Sequence, residues 1–193
     1  MSENELRTYI EGCKRGDRLS QQWIFERYYR LMFGVCMRYS NDADRVQDMV
    51  QEGFLKVFSN IEGYTSKGSF EGWMRRIMVN TAIDAYRKDN VYPVEVTEDE
   101  QLERLVEEAG LDDEEEGDLP IDSFTVQDVL EAMDLLSPAY RAVFNLYVFE
   151  NYTHQEIAEK LGITAGASKS NFAKAKRNVR DLLLAAKHMK VAK

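Results

Sequence analysis

The chain of 193 residues has few of the side chains from which enzyme active sites are usually built. It contains two histidines, His154 and His188, and neither has an acid or base neighbour arranged to share a proton. Its two cysteines, Cys13 and Cys36, form no CxxC motif and have no histidine cluster beside them, so we expect small buried thiols. A phosphate-binding glycine loop and a His–Glu metal motif are also missing. The sequence therefore predicts a protein without catalysis, metal or cofactor.

Long apolar runs are missing as well. The first ten residues are polar, and the longest clean apolar run is the short segment Leu182–Ala186. A membrane-spanning helix needs about 20 predominantly apolar residues, and a secretion signal needs an apolar core near the N-terminus. We therefore expect no membrane insertion and a cytoplasmic location.

The charge is distributed very unevenly along the chain. The net charge is −9, but Val91–Asp122 alone holds fourteen acidic residues and one basic residue, with two of the three prolines and almost no aromatic residues. Such a segment cannot bury enough apolar surface to fold alone and is typical of a flexible acidic linker. This predicts an all-α chain with a helical domain at 1–90, a linker at 91–122 and a second helical domain at 123–193. Lys160–Lys193 holds nine basic residues and one acidic residue, which keeps DNA binding possible despite the acidic total.

The first domain is predicted to be a small helical bundle. A short helix ends at Gly16, and Leu19–Tyr39 is apolar nearly all round, as expected of a central buried helix. Asn41–Asp44 is a good helix start, because Asx residues cap and acids favour the N-terminal dipole. The next helix, Arg45–Asn60, has one apolar stripe. The stripe comprises Val46, Val50, Phe54, Val57 and Phe58, whereas Asp48, Gln51, Glu52 and Leu55 lie off it.

The stretch Gly68–Lys88 separates into two unlike faces at helical period. Its apolar face comprises Met74, Met78, Val79, Ala82, Ile83, Ala85 and Tyr86, and its other face comprises Trp73, Arg76, Asn80, Asp84 and Arg87. An indole, an amide and guanidinium groups in a row can stack on bases and pair with phosphates of an opened nucleic-acid strand. The alternative is an amphipathic helix whose polar face is simply hydrated.

The second domain has clear helix signals. Ser137–Pro138 is a cap followed by proline at the first helical position, and Thr153 with Glu156 forms a capping box, so a helix should begin at His154. Gly162 should end that helix in a left-handed conformation. A short turn, Ile163–Ala165, then leads to a last helix from about Gly166 to Lys187.

Two helices joined by a short glycine-containing turn predict a helix-turn-helix. On the last helix an inward stripe comprises Phe172, Ala175, Val179, Leu182 and Ala186, and the opposite side carries Ser170, Lys174 and Arg177 flanked by Lys169 and Arg180. Polar groups near the start of the helix suit base edges, and cations further along suit phosphates. An ordinary helical hairpin with a basic surface is the alternative.

With both halves considered, the chain resembles a bacterial sigma factor of the extracytoplasmic-function group in the sigma-70 family. RVQDMVQEGFLKVF resembles the helix that binds the clamp helices of the largest subunit of core RNA polymerase, and GSFEGWMRRIMVNTAIDAYRK resembles the segment that melts and recognises the −10 element. LSPAYRAVFNLYVFENYTHQEIAEKLGI followed by GASKSNFAKAKR resembles the domain that binds the −35 element. The resemblance runs from about Gly12 to Leu184, leaving out the linker.

The resemblance implies three sets of binding residues. The polymerase set is Asp48, Gln51, Glu52 and Phe54. The −10 set is Tyr64, Phe70, Trp73, Arg76, Asn80, Asp84, Arg87 and Lys88. The −35 set is Ser168, Lys169, Ser170, Asn171, Lys174, Arg177 and Arg180. The family often has an Arg-Ser-Arg-like run at Lys169–Asn171 and a threonine at Ala167, so the −35 base preference does not carry over.

The resemblance further implies a non-enzymatic subunit, with core RNA polymerase, promoter DNA and an anti-sigma factor as partners. The loop Gly63–Ser69 and the Trp73 helix should contact a strand whose bases have left the stack, whereas the last helix should contact closed duplex. A polymerase-independent helix-turn-helix regulator remains the alternative, and it would bind duplex tightly by itself. A small nuclease ranks third, because it needs carboxylates clustered for Mg²⁺ on folded domains, and here they are dense in the linker.

Overall fold

The computed structural model describes residues 3–89 and 124–191 of the chain, and within these ranges the regular structure is helical, which confirms the predicted all-α class. The chain divides into two compact units, Met1–Lys88 and Asp89–Lys193. The predicted linker at 91–122 lies outside the described residues.

The first unit is built from helices α1 (Glu3–Lys14), α2 (Arg18–Met37), α3 (Ala43–Ser59) and α4 (Phe70–Asp89), with a 3₁₀ turn at Ile61–Gly63. Gly16 adopts a φ of +75° between α1 and α2, a conformation that costs a glycine little. The predicted start of α3 is confirmed: the Asp42 carboxylate accepts hydrogen bonds from the amides of Asp44 and Arg45, at 3.0 and 3.2 Å.

The core of the first unit lies between α2, α3 and α4. Its fully buried side chains include Ile24, Met32, Val50, Val57, Met74 and Met78. Helices α3 and α4 approach closely at Gly53, where an added Cβ would lie 2.2 Å from the Met78 sulfur. A side chain at Gly53 would therefore require the Met78 side chain to move, at the contact between the two helices that carry the predicted polymerase and −10 residues.

The prediction that α2 is buried nearly all round is only partly correct. Ile24 and Met32 are fully buried, but Leu19, Leu31 and Met37 are 75%, 46% and 51% exposed. Helix α2 packs against α1 and α3, and its Tyr28 ring contacts Phe70 of α4, but part of its circumference remains uncovered. The apolar pattern therefore overestimated how much of the α2 surface is buried.

The second unit contains α5 (Val126–Asp134), α6 (Pro138–Val148), α7 (His154–Leu161) and α8 (Ala165–Val191). Its core joins α5, α6 and α8 through a set of buried residues: Ala132, Met133, Leu136, Tyr140, Phe144, Ala175, Val179, Leu182 and Leu183. The buried Arg141 side chain donates from Nε to the Met133 carbonyl at 2.9 Å, which satisfies a carbonyl at the end of α5.

The predicted helix signals around α7 are confirmed. The Thr153 amide donates to Glu156 Oε2 at 2.8 Å, the Glu156 amide donates to Thr153 Oγ1 at 3.3 Å, and Gly162 ends α7 with a φ of +72°. Helix α8 begins at Ala165, near the predicted start, and Thr164 Oγ1 accepts a hydrogen bond from the Ala167 amide at 3.0 Å. These caps make α7, the turn and α8 a helix-turn-helix.

Candidate nucleic-acid and polymerase interfaces

Helix α4 presents the two faces that its sequence predicts. Met74, Met78, Val79, Ala82 and Ile83 are buried, whereas Arg76, Asn80, Asp84, Arg87 and Lys88 are exposed. Trp73 is half-buried at the boundary between the two faces. The exposed row offers guanidinium, amide, carboxylate and ammonium groups to a partner.

A cleft of about 310 Å³ opens beside Trp73, between the start of α4 and the loop that precedes it. Its walls include the loop residues Tyr64, Lys67 and Ser69 and the α4 residues Trp73 and Arg76. The Tyr64 hydroxyl donates a hydrogen bond to the Gly68 carbonyl at 2.7 Å, which ties the two ends of the loop together. The volume lies at the lower end of the range for small-molecule pockets.

Phe70 and Tyr64 support this cleft rather than project from it. Phe70 is 3% exposed, and its ring contacts those of Tyr64 and Trp73, with centroids 5.1 and 5.6 Å apart. Tyr64 is 9% exposed and lies 5.4 Å from Trp73. The ring of Phe70 is packed inside the unit, and its contact with the −10 strand stays a prediction from the family resemblance. Tyr64, although buried, still lines the cleft.

An ion-pair network that the sequence did not reveal connects α3 with α4. The Lys56 ammonium lies 2.9 Å from Glu52 Oε1 on its own helix and 3.1 Å from Asp84 Oδ2 on α4. Burial acts to lower the pKa of Lys56, but its hydrogen bonds to Glu52 and Asp84 outweigh this effect and raise the pKa above the ordinary value. Lys56 thus partly neutralises the carboxylate of Asp84, which belongs to the exposed row of α4 that we expect to contact DNA.

The predicted polymerase residues on α3 separate into surface and core. Asp48 and Gln51 are exposed and Glu52 is half-exposed. Phe54 is 3% exposed and packs on Phe25 with ring centroids 4.7 Å apart. Its ring lies in the core here, and its contact with polymerase stays a prediction. Its neighbour Leu55 is 71% exposed. Leu55 therefore gives this surface an apolar side chain. Its position off the buried stripe of the helix had already indicated that it would be exposed.

Helix α8 places the predicted cations outward and one predicted contact inward. Lys169, Ser170, Lys174 and Arg177 are exposed, and Asn171 is half-buried. Arg180 is half-buried, and its Nε lies 3.0 Å from Asp181 Oδ1, which reduces the charge it can offer to a phosphate. Ser168 is 0% exposed. In this structure Ser168 faces α7, and its contact with DNA stays a prediction from the sequence.

His154 has a place in the structure that the sequence did not indicate. Rather than lying on the open surface, it is half-buried, with Nδ1 3.0 Å from Ser168 Oγ and its ring stacked on Tyr147 at a centroid distance of 4.7 Å. The two hydrogen-bonding residues are 14 positions apart. No local sequence pattern connects residues at that separation.

The two thiols are buried, as predicted, and burial raises the pKa of Cys13 to about 11 and that of Cys36 to about 12. A thiol with so high a pKa is a poor nucleophile at neutral pH. Within residues 3–89 and 124–191, no helix is both long and apolar enough to cross a bilayer.

Comparison with known proteins identifies both units. Residues 24–91 match the family "Sigma-70 region 2", and residues 127–179 match the family "Sigma-70, region 4". The ECF RNA polymerase sigma factor SigE of Mycolicibacterium smegmatis is 31% identical over 84% of this chain, and the match spans 59% of that relative. RNA polymerase sigma factor SigV of Bacillus subtilis is 30% identical, with 79% of this chain and 82% of the relative covered. ECF RNA polymerase sigma factor SigW of Bacillus subtilis is 26% identical, with 94% and 98% covered. The chain therefore belongs to the sigma-70 family as an ECF RNA polymerase sigma factor, a protein of transcription initiation.

Proposed function

We propose that this sigma factor uses three separate surfaces during initiation. The exposed side of α3 binds the clamp helices of core RNA polymerase, the cleft and outer row of α4 hold the opened −10 strand, and the outer side of α8 binds the −35 duplex. Residues 1–90 and 123–193 form the two functional domains, with 91–122 as a tether between them. The subunit itself is non-catalytic and acts in the cytoplasm beside the polymerase.

The observation that carries the −10 assignment is the cleft beside Trp73. A base that leaves the stack needs a snug pocket and an aromatic surface, and the polar groups of Arg76 and Asn80 lie on the same helix to bind the strand. Stacking on an aromatic side chain contributes about 1–3 kcal/mol per base. Extrusion of a base costs a few kcal/mol, so a single stacking site can nearly offset it.

The −35 assignment is supported by the cations of α8. Lys169, Lys174 and Arg177 are all exposed on the second helix of the helix-turn-helix. In that motif the second helix enters the major groove. Exposed cations there provide the phosphate contacts that give most of the affinity for duplex DNA.

Reconstitution tests the proposal. Immobilised chain should retain core RNA polymerase, and the resulting holoenzyme should start transcripts from sheared genomic DNA in a run-off assay, whereas core alone should not. Permanganate oxidation of unpaired thymines should then map opening to the −10 segment of the selected promoters. Tight, sequence-specific duplex binding by the free chain, with no retention of core, would instead support the polymerase-independent regulator.

An anti-sigma partner remains a prediction from the family resemblance. It would cover one of the three surfaces and so compete with core polymerase or DNA. Copurification from a lysate, followed by competition with added core polymerase, would test it.

A further inference from the structure

One buried polar pair joins the two helices of the helix-turn-helix. Ser168, near the start of α8, is 0% exposed, and its Oγ lies 3.0 Å from Nδ1 of His154 on α7. A buried hydroxyl without a partner loses its hydrogen bonds to water, so a serine at this position is tolerated because His154 is there. The His154–Ser168 pair is thus a side-chain hydrogen bond between α7 and α8.

The His154 ring is held by two aromatic neighbours. His154 is the first residue of α7, and its ring stacks on Tyr147 of α6 with centroids 4.7 Å apart and planes inclined by 17°. The same ring lies 5.8 Å from that of Phe172 on α8, and Phe172 and Tyr147 are themselves 4.3 Å apart. The imidazole is therefore fixed before it meets Ser168, and its Nδ1 presents a defined direction to the first turns of α8.

A hydrogen bond constrains a helix differently from an apolar contact. Apolar side chains tolerate small rotations and slides, whereas a hydrogen bond weakens steeply as its angle departs from linear. Successive residues of an α-helix are about 100° apart around its axis. Because Ser168 is held inward, the exposed Lys169 and Ser170 that follow it are held in one outward orientation.

Orientation matters more for bases than for phosphates. Base edges are recognised by directional hydrogen bonds in the groove, while a lysine reaches a phosphate as a flexible point charge. A small rotation of the first turns of α8 would displace the side chains that approach base edges. It would leave the electrostatic attraction of Lys174 and Arg177 almost intact.

We propose that the His154–Ser168 pair is a positioning contact that sets the base selectivity of α8 and has little influence on its affinity for the phosphate backbone. This inference rests on the proposed function of α8 as the helix that binds the −35 duplex. His154 and Ser168 touch no DNA themselves, and they act through the orientation of Lys169, Ser170 and Asn171.

The test uses holoenzyme reconstituted with core RNA polymerase and a duplex library whose −35 segment is randomised. Sequencing the bound fraction gives the base preference at each position, and the amount of DNA retained at low salt gives overall affinity. Wild type should select a defined sequence. Ser168→Ala should reduce the preference at the selected positions about tenfold, the size of one lost directional base contact, with total retention unchanged.

Two histidine variants and one control separate positioning from simple loss of stability. His154→Asn places an amide atom near the position of Nδ1, the atom that contacts Ser168, so this variant should retain the base selectivity of wild type. His154→Gln places an amide atom near the position of Nε2, so it should lose that selectivity. Ala158→Gly loosens α7 without removing the pair, and it should lower the melting temperature while preserving selectivity. In a long-range ¹H–¹⁵N spectrum of the full chain, His154 should show one fixed tautomer in wild type and a mixture in Ser168→Ala.

Three outcomes would overturn the inference. Ser168→Ala could keep the wild-type base preference, or His154→Gln could show the same preference as His154→Asn. Ala158→Gly could also reduce the preference as much as Ser168→Ala does, when the two variants have the same melting temperature. Each would leave the pair a purely structural contact. If wild type itself selects no sequence in the randomised segment, the assignment of α8 to the −35 duplex fails first. The wild-type arm alone identifies that case.

Discussion

Helices α4 and α8 both carry a row of polar side chains, but the surroundings of the two rows differ. At α4 an indole stands beside a cleft, supported from behind by the rings of Phe70 and Tyr64. At α8 the aromatic rings of Tyr147 and Phe172 pack against His154 between the helices, and lysine and arginine side chains form the outer surface. Aromatic surface binds bases that have left the stack, whereas cations bind the phosphates of a closed duplex. Under the proposed function, the two units would therefore bind two different states of DNA.

Among variants of the two rows, the largest change in free energy is expected from Phe70→Ala. Because Phe70 is buried behind Trp73, its loss should lower the free energy of unfolding of the first unit by about 3–5 kcal/mol, as for other buried phenylalanines. Urea denaturation of the full chain measures this. If Phe70→Ala keeps its stability and loses only −10 opening, then Phe70 contacts the strand directly, as the family resemblance implied.

Trp73→Ala tests whether strand opening depends on α4 while duplex binding depends on α8. Loss of one stacking surface should cost about 1–3 kcal/mol in strand opening, with duplex binding through α8 preserved. Permanganate footprinting beside a mobility-shift assay reports the two steps separately. The matched control is Trp23→Ala, because Trp23 stacks on Tyr9 with centroids 3.9 Å apart and does not line the cleft. Equal loss of opening in both variants would point to stability rather than stacking.

Asn80→Ala provides a milder change on the same face. It should slow opening while sparing the closed complex, since Asn80 is exposed on the outer row of α4 and its side chain can hydrogen-bond to a base or the strand. Its melting temperature, measured beside that of wild type, separates a lost strand contact from a loss of stability. A variant that opens normally would remove Asn80 from the strand-binding set.

Lys169→Ala and Arg177→Ala should have the reverse effect. Each should weaken the initial duplex complex and reduce the slope of log K against log salt by about 0.9, with little change in opening once bound. Lys14→Ala is a suitable control, because Lys14 pairs with Glu11 at 2.9 Å in the first unit. If Lys169→Ala and Trp73→Ala impair both steps equally, the division between the two units does not hold.

Charge reversal at Asp48 and Glu52 should affect neither DNA step directly. Each reversal should weaken binding to core polymerase. Reversal at Asp48 should change stability by no more than about 0.5 kcal/mol, as is usual for surface substitutions. Reversal at Glu52 also removes the ion pair with Lys56, so its stability is measured separately. Glu11→Lys is the matched control, because it reverses an exposed acidic charge on α1, outside the proposed docking surface. Core affinity that survives both reversals would contradict the docking surface on α3.

The smallest effect is expected from the acidic segment 91–122. Replacing its acids with serine and glutamine should raise the affinity of free chain for a −35 duplex, because the acids compete with DNA for the basic residues of α8. The gain should shrink as salt rises. A gain that does not depend on salt would exclude competition by charge and leave the segment as a tether.

Helix boundaries were predictable because their causes are local. Asp42, Ser137 and Thr153 cap the helices that follow them, and Gly162 ends α7, each through contacts within a few residues. The helix-turn-helix follows from those caps and from the apolar period of α8. The two faces of α4 follow from its period in the same way. The capping box of Thr125 and Asp128 at the start of α5 is an equally local signal that was missed.

The sequence by itself therefore determined the all-helical class, the helix ends, the faces of α4 and α8 and the family. Only the tertiary structure decided which members of the candidate sites reach the surface. Phe54, Phe70 and Ser168 match family positions, yet they are buried because a neighbouring helix or loop covers each of them. Lys56 and His154 acquired their roles from Asp84 and Ser168, which are 28 and 14 positions away. Periodicity reports which side of a helix is apolar, but contacts between distant segments depend on how the helices pack, and that is set by the core as a whole.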